Sequence, residues 1–388
     1  MTADSLLLSI IVPTKDRYDT LLPVVAALLK HIRSPDVEIV VQDNSADNSR
    51  ALRSPELMGD PRVIYQHNPI PVSIVDNTIA CLRASRGSYL TFIGDDDLVS
   101  PHIVDAVRQL QSTDFQCMVF TPARYWWSTV NFATPTRYHK AKAFWLPTKR
   151  SGPSRVLHTQ VELDKFLASG TTQYLDLPRF YHGVIRRDAL EAIEQSTGTL
   201  LPGSSPDMAY SIALSLVISR YVAVNYPLTV FGASRASGGG WTAANRHHGR
   251  IEDQTHLPAG IIDRWDQRIP QFWSEQTIYP QTAHEVLTCF GSTREIAYEA
   301  LYASLLANER HLIKEFSPVI LSFCRNYPTR IPRLLTLTVK KFAGRLYRYM
   351  RANSALMPYE LKEFDNVEQA MQFLATLSKP VLELRGTP

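Results

Sequence analysis

Up to about residue 120, short apolar runs alternate with amphipathic stretches. LLLSIIVP (6–13) is continuous and rich in β-branched residues, as a strand buried on both faces requires. Leu21, Val24, Val25, Leu28, Leu29 and Ile32 then recur at helical spacing. VEIVVQD (37–43) predicts a second strand ending in Asp43, and RVIYQHN (62–68) a third. VSIVDNTIACLRASRG (72–87) predicts a helix closed by Gly87 at its C′ position. SYLTFIG (88–94) predicts a fourth strand, Pro101 the opening of the next helix, and CMVFTP (117–122) a fifth strand. Such alternation predicts a mostly parallel sheet flanked by helices.

Beyond this the rhythm breaks. Residues 124–147 are crowded with aromatics (Tyr125, Trp126, Trp127, Tyr138, Phe144, Trp145) and basic residues, a density that favours core or an oligomer interface over sugar stacking. A helix near 160–169, a strand at FYHGVIRR (180–187) and a helix from Pro206-Asp207 follow. In SRASGGGWTAANRHHGR (234–250) three consecutive glycines predict a mobile loop. From about residue 260 strand patterns vanish and helical periodicity runs to the end. The chain divides into an α/β part over 1–255 and a helical part over 256–388.

Three predicted strand ends carry polar groups: Thr14-Lys15-Asp16-Arg17, Asp43-Asn44 and Asp95-Asp96-Asp97. Ligands of open α/β sheets bind beyond the carboxyl ends of the strands, so these distant residues can converge on one crevice. One aspartate before Pro101 would serve as a turn or cap, whereas three after an apolar run point to a cation. Mg²⁺ or Mn²⁺ on a nucleotide takes one or two protein carboxylates, with phosphate oxygens and water completing the shell. Asp43, at a strand end, can accept from a base N–H or a ribose hydroxyl.

SIIVPTKDR, VEIVVQDNSADN and NTIACLRASRGSYLTFIGDDD, with Pro101 downstream, occur here in order, and together they resemble the family 2 glycosyltransferases of GT-A fold. The resemblance covers 5–110 well and 180–220 loosely. It implies a GT-A nucleotide-diphospho-sugar transferase fold over 1–255, with a nucleotide-sugar-binding half (1–120), an acceptor half (121–255) and a C-terminal α-helical region. The donor nucleotide would meet Pro13, Thr14, Arg17, Asp43, Asn77 and Asp95, with Asp43 on the base. Asp96 and Asp97 would hold Mg²⁺ or Mn²⁺. Relatives show Asp-Ser-Asp-Asp where Gly94 precedes this triplet, so the metal ligand falls to Asp96 by preference. The catalytic base would be Asp207, with Pro206 in place of the usual Glu. From the residues themselves, the glycine hinges beside Arg235, His247 and His248 suit either a lid that touches the diphosphate or a flexible surface loop, and His182 either lines the acceptor site or is a structural hydrogen-bonding residue. The implied reaction moves a sugar, with inversion and with no covalent intermediate required, from a UDP-linked donor to a glycan or lipid-linked acceptor in bacterial surface polysaccharide synthesis.

The 388 residues carry 41 basic and 37 acidic side chains, a net charge of +4 that gives no reason to expect nucleic acid. Four separated cysteines form no metal-ligand spacing and fit a reducing compartment. No apolar segment approaches the roughly 18 residues of a spanning helix, so the expected location is the cytoplasm, including the inner face of the membrane. RIPRLLTLTVKKFAGRLYRYMR (330–351) is basic and lacks acidic residues, with Leu335, Val339, Phe342, Leu346 and Met350 near one face. It reads either as a bundle helix with a solvated basic face or as a peripheral membrane contact. The C-terminal part could equally form a homo-oligomer. Two other classes remain: a non-catalytic nucleotide- or glycan-binding scaffold, and a sugar nucleotidyltransferase. The latter usually has a glycine-rich loop after the first strand, and PTKDRYDT has no glycine.

Overall fold

The computed structural model describes residues 6–136, 139–352 and 358–384, without the side chains of 348, 349, 351 and 352. Residues 1–5, Tyr138 and 385–388, which enter the spans and the aromatic cluster above, lie outside the described residues.

Strands β1 (Leu8–Thr14), β2 (Val37–Asp43), β3 (Val63–His67) and β4 (Tyr89–Phe92) pair in parallel in the order β3-β2-β1-β4. Every residue of β1 and β2 is buried, because helices cover both faces of the sheet. The register Thr14↔Asp43↔His67 brings three strand ends level with one another. The sheet continues through β10 (Gly183–Arg186), antiparallel to both neighbours, then β6 (Cys117–Phe120), β11 (Arg220–Val224) and β9 (Arg155–His158). A mixed α/β fold results, with helices on both sides and a helical region towards the C-terminus.

A second sheet, which periodicity does not reveal, lies beyond the first. Its order is β15 (Tyr359–Glu363), β8 (Ala143–Pro147), β7 (Ala123–Trp126), β12 (Thr229–Ala233) and β5 (Leu98–Val99). Three times the chain leaves a first-sheet strand and enters the second sheet: β4 to β5, β6 to β7 and β11 to β12. Asp95-Asp96-Asp97 is the first of these junctions. The aromatic stretch is core of this sheet, with Tyr125, Trp126, Trp127, Phe144 and Trp145 all buried.

Four local expectations need correction. The helix Ile74–Ala84 ends at an extended Ser85, so Gly87 is not its C′ residue. Gly87 is needed because a Cβ there would lie 2.5 Å from the Ser9 backbone nitrogen. Pro101 sits in a turn, and the helix begins at Ile103. The three glycines of 238–240 lie inside the short helix Gly238–Ala243, which Ser237 caps through its hydroxyl, rather than in an open loop. Finally, strands do occur after residue 260: β15, and β14 (Trp273–Ser274) paired with β13 (His248–Gly249).

The terminal helix Val367–Ala375 returns to the first helix, Tyr18–His31, where Glu368 Oε1 meets Lys30 Nζ at 2.6 Å and His31 Nε2 at 3.0 Å. Burial works to raise the Glu368 carboxyl, but hydrogen bonds from Lys30, His31 and Gln372 outweigh it and hold it at about 2. An unfolded glutamate titrates near 4.3. The contact therefore contributes fully above about pH 4.3 and is lost as pH falls towards about 2. Urea midpoints taken between these pH values should fall more steeply for the natural chain than for Glu368→Gln. Parallel profiles would remove Glu368 as the cause.

Candidate active site

The ends of β1, β2 and β4 meet the start of β5 and the end of β12. Thr14 Oγ1 donates to Asp95 Oδ2 at 2.5 Å, and Arg17 Nε lies 3.0 Å from the same oxygen. Arg17 also reaches Asp96 Oδ1 at 4.0 Å. Asp96 Oδ2 accepts from the Ser234 amide at 2.9 Å, and the Asp96 carbonyl accepts from Trp127 Nε1 at 2.8 Å. Asp97 is bound all round: Oδ1 accepts from the Gly232 amide (2.6 Å), and Oδ2 from the Gly94 amide (2.6 Å) and the Tyr181 hydroxyl (2.8 Å). His182 Nε2 adds an ion-pair contact to that Oδ2 at 3.2 Å. β12 approaches closely only because residue 232 is glycine, since a Cβ there would lie 1.7 Å from the Asp96 carbonyl oxygen.

The three carboxylates have different electrostatics. Burial pushes Asp95 up to about 7, against the pull of Arg17, with Asp96 adding to the rise. Burial also raises Asp96, again opposed by Arg17 and reinforced by Asp97. For Asp97 burial is outweighed by His182 and the amides of Gly232 and Gly94, which hold it below the ordinary carboxylate range. One guanidinium thus faces two buried carboxylates, and Asp95 Oδ1 is buried without a hydrogen-bond partner. This arrangement fits a divalent cation at Asp96 and Asp95, completed by phosphate and water. It does not fit one at Asp97, whose oxygens are engaged by fixed donors. Among the described residues no group of three His, Cys, Asp or Glu side chains forms a metal cage.

The other expected donor contacts lie along the same edge. Pro13 is buried in β1. Asn77 Nδ2 spans the Thr14 carbonyl (3.4 Å) and the Gln42 carbonyl (3.3 Å), while its Oδ1 is buried and unpartnered. Asp43 is fully buried behind two phenols: Oδ2 accepts from Tyr18 at 2.5 Å and Tyr65 at 2.7 Å, and Oδ1 from the Ser45 amide at 2.8 Å. Burial followed by Asp43 pushes the Tyr18 phenol up to about 12, so it stays a donor.

Asp207 occupies the first turn of the helix Pro206–Val217. Its Oδ2 accepts from Tyr174 and from Tyr279 (3.1 Å), and its Oδ1 from the Ser205 hydroxyl and the Met208 amide (2.8 Å). Tyr181 connects it to the acidic junction. Burial first, then Asp97, Asp96 and Asp207, raise that phenol far above its ordinary value. Asp96, Asp97 and Asp207 therefore all act on this one side chain.

The segment after β12 covers this edge. Arg235 follows the Ser234 amide that holds Asp96, and with Arg246, His248, Trp241 and Trp273 it lines a cleft of about 660 Å³. His247 is not free: Nδ1 lies 3.2 Å from Glu275 Oε1, and its ring stands edge-on to Trp273 at 4.4 Å. Further on, the His256 carbonyl accepts from the Ile74 amide at 2.9 Å. Burial, with the positive charges of His247 and Lys15 adding to it, pushes the His256 imidazole down to about 4. His182 corrects its expected role. It is 3% exposed, has φ 55° and bonds Thr229 Oγ1 through Nδ1 at 2.8 Å, so it braces Asp97 and presents no surface to an acceptor.

Sequence reading misses Tyr18, Tyr65, Trp127, Tyr174, Tyr181, Gly232 and Tyr279. Of these only Tyr181 offered a local signal, as the neighbour of His182.

Residues 9–166 match the family model described as "Glycosyl transferase family 2". No curated protein matches the chain. Among solved structures, S. aureus TarS 1–349 in complex with UDP-GlcNAc is similar at 13% identity and TM-score 0.47, covering 93% of this chain and 97% of that one. The same fragment with UDP gives 12% identity and TM-score 0.45 over 93% and 97%. Against another S. aureus TarS chain, at 14% identity and TM-score 0.39, the match takes in 59% of this chain and only 37% of that one. Residues 9–166 therefore match glycosyl transferase family 2, and they lie in a mixed α/β fold.

Proposed function

We propose that the chain transfers a sugar, with inversion, from a nucleoside diphosphate sugar to a hydroxyl of a glycan or lipid-linked acceptor. The base we propose is uracil and the process surface polysaccharide assembly, both as the family resemblance implies. The observation that carries the reading is the strand-end corner where Thr14 and Arg17 hold Asp95, the Ser234 amide holds Asp96, and Asp95 Oδ1 is buried without a partner. The acid cluster would serve a donor diphosphate, and Asp207, a separate carboxylate, the attacking hydroxyl.

In this reading Asp207 takes the proton as the acceptor oxygen attacks the anomeric carbon, and the bond to the diphosphate breaks on the opposite face. Tyr174 and Tyr279, raised well above the ordinary phenol value by burial and by Asp207, keep their protons and aim the carboxylate. A carboxylate has about four acceptor sites, and here four donors occupy them. Ser205 would turn away to admit the acceptor hydroxyl, since its hydroxyl is free to rotate. Mg²⁺ or Mn²⁺ held by Asp96, with Asp95 beside it, would supply charge neutralisation for the diphosphate. Arg17 and Thr14 would hold Asp95 in place, and Arg235 would face the phosphates from the covering segment. The two halves proposed for this work are 1–120 for the donor and 121–255 for the acceptor.

The test is thermal melting with nucleoside diphosphates and their sugar conjugates, with and without Mn²⁺. A ligand at a hundred times its dissociation constant should add about 2.7 kcal/mol. Stabilisation by one nucleotide, greater with Mn²⁺, is the expected result. No shift with any nucleotide would overturn the donor site, whereas a shift without turnover on any acceptor would favour a binding scaffold.

A further inference from the structure

The cleft of about 660 Å³ at the covering segment differs in charge from the acidic corner beside it. Arg235, Arg246 and His248 line it together with Phe132, Trp241 and Trp273, and among the described residues no aspartate or glutamate does. Both arginines are exposed, and among the described residues neither forms an ion pair. Two carboxylates behind the histidines are held by other partners. Glu275 Oε1 takes Thr242 Oγ1 and His247 Nδ1, each at 3.2 Å, and Glu309, whose carboxyl feels the charge of His248, meets His311 Nε2 at 3.7 Å. Trp241 is 38% exposed and stands edge-on to Trp273, with ring centroids 6.4 Å apart. The cleft thus offers cations that no protein group neutralises, with aromatic faces beside them. Its walls also lead to both carboxylates of the proposed reaction. Arg235 follows Ser234, whose amide holds Asp96, and Trp273 leads into the helix Glu275–Cys289, whose Tyr279 holds Asp207.

We propose that this cleft takes the acceptor and that the acceptor is an acidic glycan, one that carries carboxylate or phosphate groups. The inference rests on the transfer reading above. Arg246 and His248 would meet the acidic group, since a guanidinium gives two parallel N–H donors to either anion. Trp241 would lie against a sugar ring, because the negative face of an indole attracts C–H groups. Arg235, next to Ser234, would stay with the donor phosphates. A neutral glycan would leave Arg246 and His248 with no charge to pair. The cleft's size falls within the range of about 300–1,000 Å³ usual for small-ligand sites.

Calorimetric titration of the natural chain with tetragalacturonate, with maltotetraose 6-phosphate and with neutral maltotetraose tests this. At least one of the two acidic oligosaccharides should bind about tenfold more tightly than maltotetraose, and added salt should weaken it. The one that binds tells carboxylate from phosphate. Arg246→Ala should weaken that binding by about tenfold, as loss of one charge-assisted hydrogen bond does, and Arg246→Lys should restore part of it. The side chain is exposed, so the melting temperature should not change. No preference for either acidic oligosaccharide, or equal binding by Arg246→Ala, would overturn the proposal. So would loss of nucleotide-induced stabilisation in Arg246→Ala, which would give the cleft to the donor. The transfer reading is tested separately by nucleotides on the natural chain: acidic oligosaccharide bound without any nucleotide shift would leave a glycan site and remove the transfer.

Discussion

Asp207→Asn is expected to lower the transfer rate by roughly 10²–10⁴-fold, the range lost with a general base. The side chain keeps its shape, and the Tyr174–Tyr279 pair, whose rings meet edge-on at 5.5 Å, still has an oxygen to hold. Asp207 lies in the first turn of its helix and belongs to neither the Thr14–Arg17 corner nor the junction that braces Asp95–Asp97. Nucleotide-induced stabilisation should therefore survive the substitution while product formation collapses. Unchanged turnover would remove Asp207 from the reaction. Loss of nucleotide binding with turnover would instead place it at the donor.

Asp96→Ala and Asp97→Ala, though adjacent, should fail in opposite ways. Removing the Asp97 carboxylate leaves the amides of Gly94 and Gly232, the Tyr181 hydroxyl and the His182 ring without their acceptor, all in a buried junction between two sheets. Breaking a buried charged network of this kind costs about 3–5 kcal/mol. Asp96→Ala loses one amide contact and a 4.0 Å ion contact with Arg17, and it relieves the buried negative charge that raises Asp95. That variant should melt close to the natural chain and lose the nucleotide-dependent, Mn²⁺-enhanced shift. Denaturant midpoints and nucleotide titrations on the two variants check this. Equal destabilisation of both, or an intact Mn²⁺ effect in Asp96→Ala, would contradict the division of labour.

The same pair answers why three aspartates stand together. One joins the sheets, one is fixed by Arg17 and Thr14, and the third is the one we propose for the donor's cation. Neither repeat nor spacing distinguishes them. Their roles follow from partners 80 to 140 residues away, Thr14 to Asp95 being 81 apart and Asp96 to Ser234 being 138 apart.

What the sequence determines by itself is local. A run of β-branched residues buried on two faces and a 3.6-residue apolar period are both written in consecutive positions, so β1 to β4 and their helices are legible, as are the polar strand ends. The second sheet is not. Its strands are two to five residues long, too short to show a period, and β15 comes from the far end of the chain to pair with β8. Likewise the glycine triplet reads as a loop until Ser237 caps a helix around it. The shielding of Asp43 by Tyr18 and Tyr65, the grip of Tyr174 and Tyr279 on Asp207, and the burial of His182 were decided only by the tertiary structure. Each depends on which distant side chain supplies a donor, and burial makes that supply obligatory: a carboxylate removed from water must find its partners wherever the fold delivers them.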